Sequence, residues 1–358
     1  MDTNPDKPSI LEAAWRLFAQ FDAAAKKRSK AKNDLHISVA AISFFAILFA
    51  ILSSIYPTTL PPWGATVISI VLIILPILAS TLAAFSSKFF PTGDWLILRA
   101  GAELVQKEIF HYRTILQGKK RDRRTWLESR LREIHVQVYN GLNGELILDS
   151  FTGVLPPGYD KSEKRADPGF TDLSFEEYYT HRIKDQLDWH IRRVQKLQRN
   201  RIRMQTMILF AGGLGTFLAA MGNSFSALSI WVALATALTT ALIGVQEIRN
   251  YDKTLRNYSR VILELTNISN HWHNLEVNER TKKEFYNVVQ ATETVLWNQF
   301  VEYIKSMQEV LAASKAEGAD LVGETVDSPE EGDSRDTSFI APLPNPGDHQ
   351  LEEEPTTA

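Results

Sequence analysis

His271 and His273 flank Trp272 in the run NHWHN, the one place where two imidazoles stand close enough in sequence to suggest a shared metal ion. Residues two apart on a helix point to different faces, so the pair is expected to serve a core or an interface and not to chelate one ion. The run GGLG at 212–215 lacks the lysine and hydroxyl of a phosphate loop and lies inside an apolar segment. Glu176 and Glu177 are neighbours, diverge on a helix and read as a solvated face. With no cysteine there is no disulfide, thiolate metal site or catalytic thiol, which suits soluble parts in a reducing compartment. No nucleophile, base and orienting group can be assembled, so the sequence predicts neither an enzyme nor a cofactor or metal site.

The remaining chemistry sits in two long stretches without formal charge, Leu35 to Ser87 and Met204 to Gln246. Their hydroxyls, Ser43, Ser69, Ser80, Thr236, Thr239 and Thr240, either line a wet path or bond back to their own helix carbonyls. Pro76 falls in mid-segment and would kink a helix there, with or without shaping a path. Small residues recur every four positions at Ala211, Gly215 and Ala219, and again at Ala233, Ala237 and Ala241. Such spacing allows close helix packing, within one chain or between chains. No charge lies inside either stretch, which argues against a carboxylate-based pump or carrier.

Length tells what elements hold these residues. A hydrocarbon core about 30 Å thick takes roughly 20 helical residues. The first stretch supplies two spans, 35–56 and 63–87, divided by YPTTLPPW, whose prolines cannot continue a helix. The second supplies 206–222 and 225–245, divided at GNSFSAL. The expected fold is an all-α membrane protein in which four transmembrane helices form two helical hairpins.

Charge orients the hairpins. Lys26, Lys27, Arg28, Lys30 and Lys32 precede the first, and Arg192, Arg193, Lys196, Arg199, Arg201 and Arg203 precede the second, whereas the two tips carry no basic residue. The positive-inside rule then keeps both termini and the middle segment cytoplasmic. Beside apolar spans these basic residues are read as topology signals, not as a nucleic-acid surface. The segment from Ala316 onward holds 12 Asp and Glu against Arg335 alone, a charge of −11, which leaves +8 on the rest of a chain of net charge −3. Being also rich in Pro, Gly, Ser and Thr, this tail is expected to be disordered.

The flanks are amphipathic. Leu98, Ala102, Val105, Ile109, Tyr112 and Leu116 make one apolar stripe, and Leu255, Tyr258, Ile262, Leu265 and Trp272 make another. Ile183, Leu187, His190, Val194 and Leu197 lead into the third span, and Leu296, Phe300, Tyr303, Met307 and Val310 follow the fourth. These stripes extend the hairpins into a cytoplasmic bundle, closed within one chain or shared with a homo-oligomer. Between the halves, ELILD and GVL are expected to form a small β-hairpin-like insertion, as a ligand sensor or a plain surface feature. The predicted organisation is a disordered 1–8, a first two-span domain at 9–130, a linker with the insertion at 131–171, a second two-span domain at 172–312, and the acidic tail at 313–358.

The run SFEEYYTHRIKDQLDWHIRRVQKLQRNRIR, a two-span hairpin, and then EIRNYDKTLRNYSRVILELTNISNHW resembles the SLATT family of two-span membrane domains, including its relatives of unknown function. The resemblance is carried by Tyr179, Arg182, Gln186 and Trp189 before the hairpin and by Leu255 and Arg256 after it. The first half resembles a diverged copy: KKRSKAK precedes its hairpin and DWLILRAGAELVQKEIFHYRT follows it, with Leu98 and Arg99 matching Leu255 and Arg256. It lacks the Arg and Gln motif. Together the copies would cover residues 10 to 312. The resemblance implies a bacterial conflict-system effector that oligomerises in the lipid bilayer of the inner membrane and forms or perturbs pores. Its trigger would be a nucleotide signal or a cytoplasmic protein partner. The competing expectation is a non-conducting membrane scaffold or sensor that recruits such partners.

Overall fold

A computed structural model describes residues 9–55, 62–89, 92–118, 122–142, 144, 146–159, 167–222 and 226–322. Residues 1–8, most of both hairpin tips and 323–358 lie outside the described residues; of the tail expected to be disordered, 313–358, residues 313–322 are described and continue a helix. The described chain is helical, and the order of its elements follows the apolar pattern.

Helix α1 (Ile10–Ile55) is one rod whose first part is amphipathic and whose second part is apolar. It stops two residues before Pro57, where the chain loses helical freedom. Helix α2 (Pro62–Phe89) starts on a proline, whose missing N–H would have no helical partner in the first turn anyway. Inside α2, Pro76 has no N–H to give the carbonyl of Leu72. Helices α3 (Thr92–Arg113) and α4 (Asp122–Gly141) follow. After an irregular segment, the single turn α5 (Phe175–Tyr178) passes through a π-helical stretch, Tyr179–Lys184, into α6 (Asp185–Gly222). Helix α7 (Ser226–Arg249) returns, α8 (Tyr251–Asn274) leaves the apolar region, and α9 (Lys282–Val322) runs back beside α8 and on through 313–322.

Four of these rods are long and apolar enough to cross a membrane, and almost none of their apolar windows is buried within the chain. Large side chains such as Ile73, Leu209 and Phe210 stay more than 60 % exposed, which is stable only in a nonaqueous solvent. The chain is a membrane protein. Helix α1 packs on α2, α6 packs on α7, and α1 meets α7, so the two hairpins stand side by side.

The extramembrane bundle holds the core. The predicted stripe is buried at all six positions; its five residues on α3 pack with Trp15 and Phe21 of α1, Leu127, Ile134 and Val138 of α4, and Trp297 and Phe300 of α9, and Leu116 follows in a short 3-10 turn. A second, aromatic cluster joins Phe110 of α3, Phe175 and Tyr178, Trp272 of α8 and Phe285 of α9. Asn250 breaks α7 from α8 in the left-handed conformation (φ 42°), which Asn tolerates better than most residues, and its Nδ2 donates to Ser306 Oγ at 2.9 Å. Arg280 satisfies the open end of α8 by donating to the carbonyls of His273 and Leu275, both at 3.1 Å.

The expected β-hairpin is absent: Leu146–Asp149 and Gly153–Leu155 form no strand, and no strand occurs among the described residues. The alternation of ELILD serves another purpose. Leu146 and Leu148 pack against the helical core, as does Leu155, while Ile147 between them is 84 % exposed. The backbone is held by side chains of α1, with Gln20 Nε2 donating to the Asp149 carbonyl at 3.4 Å and Lys27 pairing with the Asp149 carboxylate at 3.0 Å. A helix face with alternating pockets reads in sequence like a strand partner.

Candidate functional site

At the end of the bundle far from the apolar helices, a charged group lies buried inside the aromatic cluster. The sequence builds it from a capping box: Ser174 Oγ accepts from the Glu177 amide, and Glu177 Oε2 accepts from the Ser174 amide at 2.8 Å. This starts α5 at a defined residue. The following π-helical turn adds a residue to the helical repeat, so Tyr178, Arg182 and Ile183 all face inward and are buried. Arg182 Nε and Nη2 then donate to Glu293 Oε1 and Oε2 of α9 at 2.9 and 2.7 Å, and Tyr178 Oη donates to Glu293 Oε1 at 3.0 Å. The guanidinium also lies 4.5 Å from the Phe110 ring of α3. One side chain thus ties the helix leading into the third span to α3 and α9.

A second clamp holds the segment that leads into α5. Fully buried Arg113 donates from Nη1 and Nη2 to Asp167 at 2.6 and 2.7 Å and from Nε to the Thr171 carbonyl at 2.8 Å. Burial pushes the Asp167 carboxyl up, but hydrogen bonds and charge from Arg113 outweigh it, and the net shift is downward. Trp15 Nε1 donates to the Gly169 carbonyl at 2.8 Å. Gly169 has φ +81°, and a Cβ there would stand 2.9 Å from Trp15 and Pro156, so both conformation and space require glycine. Close by, buried Glu108 pairs with Arg130 at 3.0 Å. Burial raises its pKa, and His111 and Arg130 lower it by more.

The residues singled out in the sequence fall into three groups. Of those before the hairpin, Arg182 is the buried hub, Tyr179 stacks on Phe175 with 6.0 Å between ring centroids, and the Gln186 carbonyl accepts from His190 Nδ1 at 2.7 Å. Trp189 is half exposed and meets the rings of His190 and Tyr258 edge-on. After the hairpin, Leu255 is half-buried and Arg256 is exposed. Among the small residues, Ala211 is buried, and Gly215 faces α7, where it would place a Cβ 3.4 Å from Ala235. Ala219, Ala233 and Ala241 lie on the outer surface and Ala237 is half-buried. Among the hydroxyl and kink positions, Ser80, Thr236 and Thr239 donate to carbonyls of their own helices at 2.9, 2.9 and 2.8 Å. Ser43, Ser69, Pro76 and Thr240 are exposed on the membrane helices. His271 pairs with Glu284 at 2.9 Å, whereas His273 turns back on the Ser269 carbonyl at 2.7 Å.

The partners Glu293, Phe110, Arg113 and Asp167 were not singled out. Glu293 had a signal: it is the acid on a stripe of Val289, Leu296, Trp297 and Phe300, all buried, and a lone acid on an apolar face implies a buried cation.

Fold and site together define an all-helical membrane protein in which a two-span hairpin is welded to an extramembrane bundle through a buried arginine. Residues 178–302 match the SLATT family model described as SMODS and SLOG-associating 2TM effector domain 1. The match begins at Tyr178 and reaches past Glu293, so the buried hub lies within it. No curated protein and no solved structure matches the chain.

Proposed function

We propose that the protein is a bacterial conflict-system effector that oligomerises in the inner membrane and permeabilises it when its bundle, on the cytoplasmic side, is engaged. The carrying observation is the SLATT match over a hairpin whose apolar helices are almost wholly uncovered in one chain. Exposed small residues at Ala219, Ala233 and Ala241 offer faces on which a second copy can pack closely. The Arg182 hub gives the bundle a rigid connection to the third span, through which a bound nucleotide or protein could shift the hairpin. The basic residues in α1 and α6, just ahead of their apolar spans, support a cytoplasmic bundle and cytoplasmic termini. The first half, with its own hairpin, is read as a diverged second copy.

A second reading, a non-conducting scaffold that recruits partners, is favoured by one observation. Ser80, Thr236 and Thr239 spend their hydroxyl protons on their own helices, which leaves less polar surface for a wet path. Liposome leakage separates the two. Purified protein reconstituted with confirmed insertion should release dye, with leakage rising alongside crosslinked oligomers and with added nucleotide second messengers. Intact liposomes under every condition would end the pore reading and leave the scaffold.

A further inference from the structure

A groove of about 520 Å³ lies between α8 and α9, close to where the fourth membrane helix ends, and is lined by Lys253, Arg256, Arg260, Lys305, Glu302 and Glu309. Its charges do not cancel. Lys253 is paired with Glu309 at 2.6 Å, and Arg260 with Glu302 at 2.8 Å. Arg256 and Lys305 form no ion pair among the described residues, so the groove holds two uncommitted cations, one a planar fork and one a point charge. Hydroxyls of Thr254 and Ser306 line the same space. Ser306 Oγ accepts from Asn250, which leaves its own proton to donate.

The corresponding place in the first half is neutralised. Arg99, which matches Arg256 in the sequence, is bonded to both Asp22 and Glu103. Four residues after Arg99 stands an acid, Glu103; four residues after Arg256 stands Arg260. The second half has reversed the charge that would have silenced its arginine. Thr254 Oγ1 donates to the Asn250 carbonyl at 3.0 Å, so Ser306 is the hydroxyl left to donate beside the two cations, and Arg, Lys and one O–H donor together match the oxygens of a phosphate. Lys253 lies in the first turn of α8, just past the break at Asn250 that ends the fourth membrane helix. Long basic side chains at that depth reach the headgroup layer while the groove stays open to solution.

We infer that the α8–α9 groove binds a phosphate group through Arg256 and Lys305, supplied either by an anionic phospholipid headgroup or by a soluble nucleotide. The site does not depend on the protein conducting. The test uses full-length protein in detergent, wild type against R256Q/K305Q and against R256Q alone, with helical content and thermal midpoint checked for each. One arm titrates phosphatidylglycerol against phosphatidylcholine and counts retained lipid by native mass spectrometry. The other measures ATP binding by calorimetry. Each cation near an anionic phosphate is worth roughly fivefold, so the double variant should lose about 30-fold in affinity and the single variant about fivefold. Loss in the lipid arm alone assigns the groove to headgroups, and loss in the ATP arm alone assigns it to nucleotides. Equal binding by wild type and double variant in both arms overturns the site, as does a wild type that neither prefers phosphatidylglycerol nor binds ATP.

Discussion

The two halves of the chain repeat one packing scheme and use it differently. In each, a long helix enters the apolar region and a second returns. A third packs back along the first, α3 on α1 and α8 on α6, and a fourth packs on the third, α4 on α3 and α9 on α8. The first half buries a broad core around α3 and neutralises its post-hairpin arginine. The second buries an aromatic cluster of Phe175, Tyr178, Trp272 and Phe285 around the Arg182–Glu293 pair and a smaller cluster of Val261, Leu265 and Leu296, and leaves Arg256 with no ion pair among the described residues. Both halves bury apolar surface, and they differ in how the arginine after each hairpin is partnered. A buried ion pair stabilises little against an apolar replacement, but it fixes one arrangement of helices, because either charge left alone is costly.

The largest effect should come from breaking that pair. Arg182→Met leaves Glu293 buried without its cation, and Glu293→Leu leaves Arg182 in the same position. Each is expected to cost about 3–5 kcal/mol, read as a loss of thermal midpoint in detergent. The double variant Arg182→Met/Glu293→Leu should recover most of the loss, since no bare charge remains. If the double variant is as unstable as the singles, the pair is not what holds α6 to α9, and the contrast between the halves fails.

Next comes the close approach of the second hairpin. Gly215→Ala adds a Cβ at ordinary contact distance from Ala235 and should be near neutral. Gly215→Leu has no room between α6 and α7 and should cost about 1–3 kcal/mol. Equal midpoints for the alanine and leucine variants would show that the helices separate there freely.

A smaller effect sharpens the comparison directly. Arg99→Ala removes a residue bonded to Asp22 and Glu103 and partly screened from solvent, and should cost about 1 kcal/mol. Arg256→Ala removes an exposed residue with no ion pair and should change stability by less than about 0.5 kcal/mol. Matching losses would mean that Arg256 has a structural partner, and the phosphate site would lose its free cation.

Much of this was legible in the sequence because it follows from length and period. Charge-free stretches of helical length named the membrane helices, and a spacing of three and four found Leu98 through Leu116 on the core face. Arg182 was found by resemblance, but not the reason for it. Its partner Glu293 lies 111 residues away, and the π-helical turn that aims Tyr178 and Arg182 inward leaves no mark in residue types. The insertion misled because Leu146 and Leu148 alternate like a strand, while what they face is a helix bundle. Period 2 reports one buried side of an extended chain and does not say what buries it.

The smallest predicted effect concerns acid, and it compares the Arg113–Asp167 clamp with the rest of the bundle. Asp167 has a folded pKa below its ordinary 3.8 because Arg113 favours the carboxylate. The stabilisation from this group is therefore fully present above about pH 3.8 and is lost as pH falls through the lower folded value. Asp167→Asn is less stable where the wild-type carboxylate is ionised, but it has no proton to take up. Between pH 5 and pH 3 its thermal midpoint should fall by less than that of the wild type. Parallel acid limbs for the two proteins would show that Arg113 does not depend on the ionised carboxylate, and that the segment entering α5 is held by Trp15 and the backbone instead.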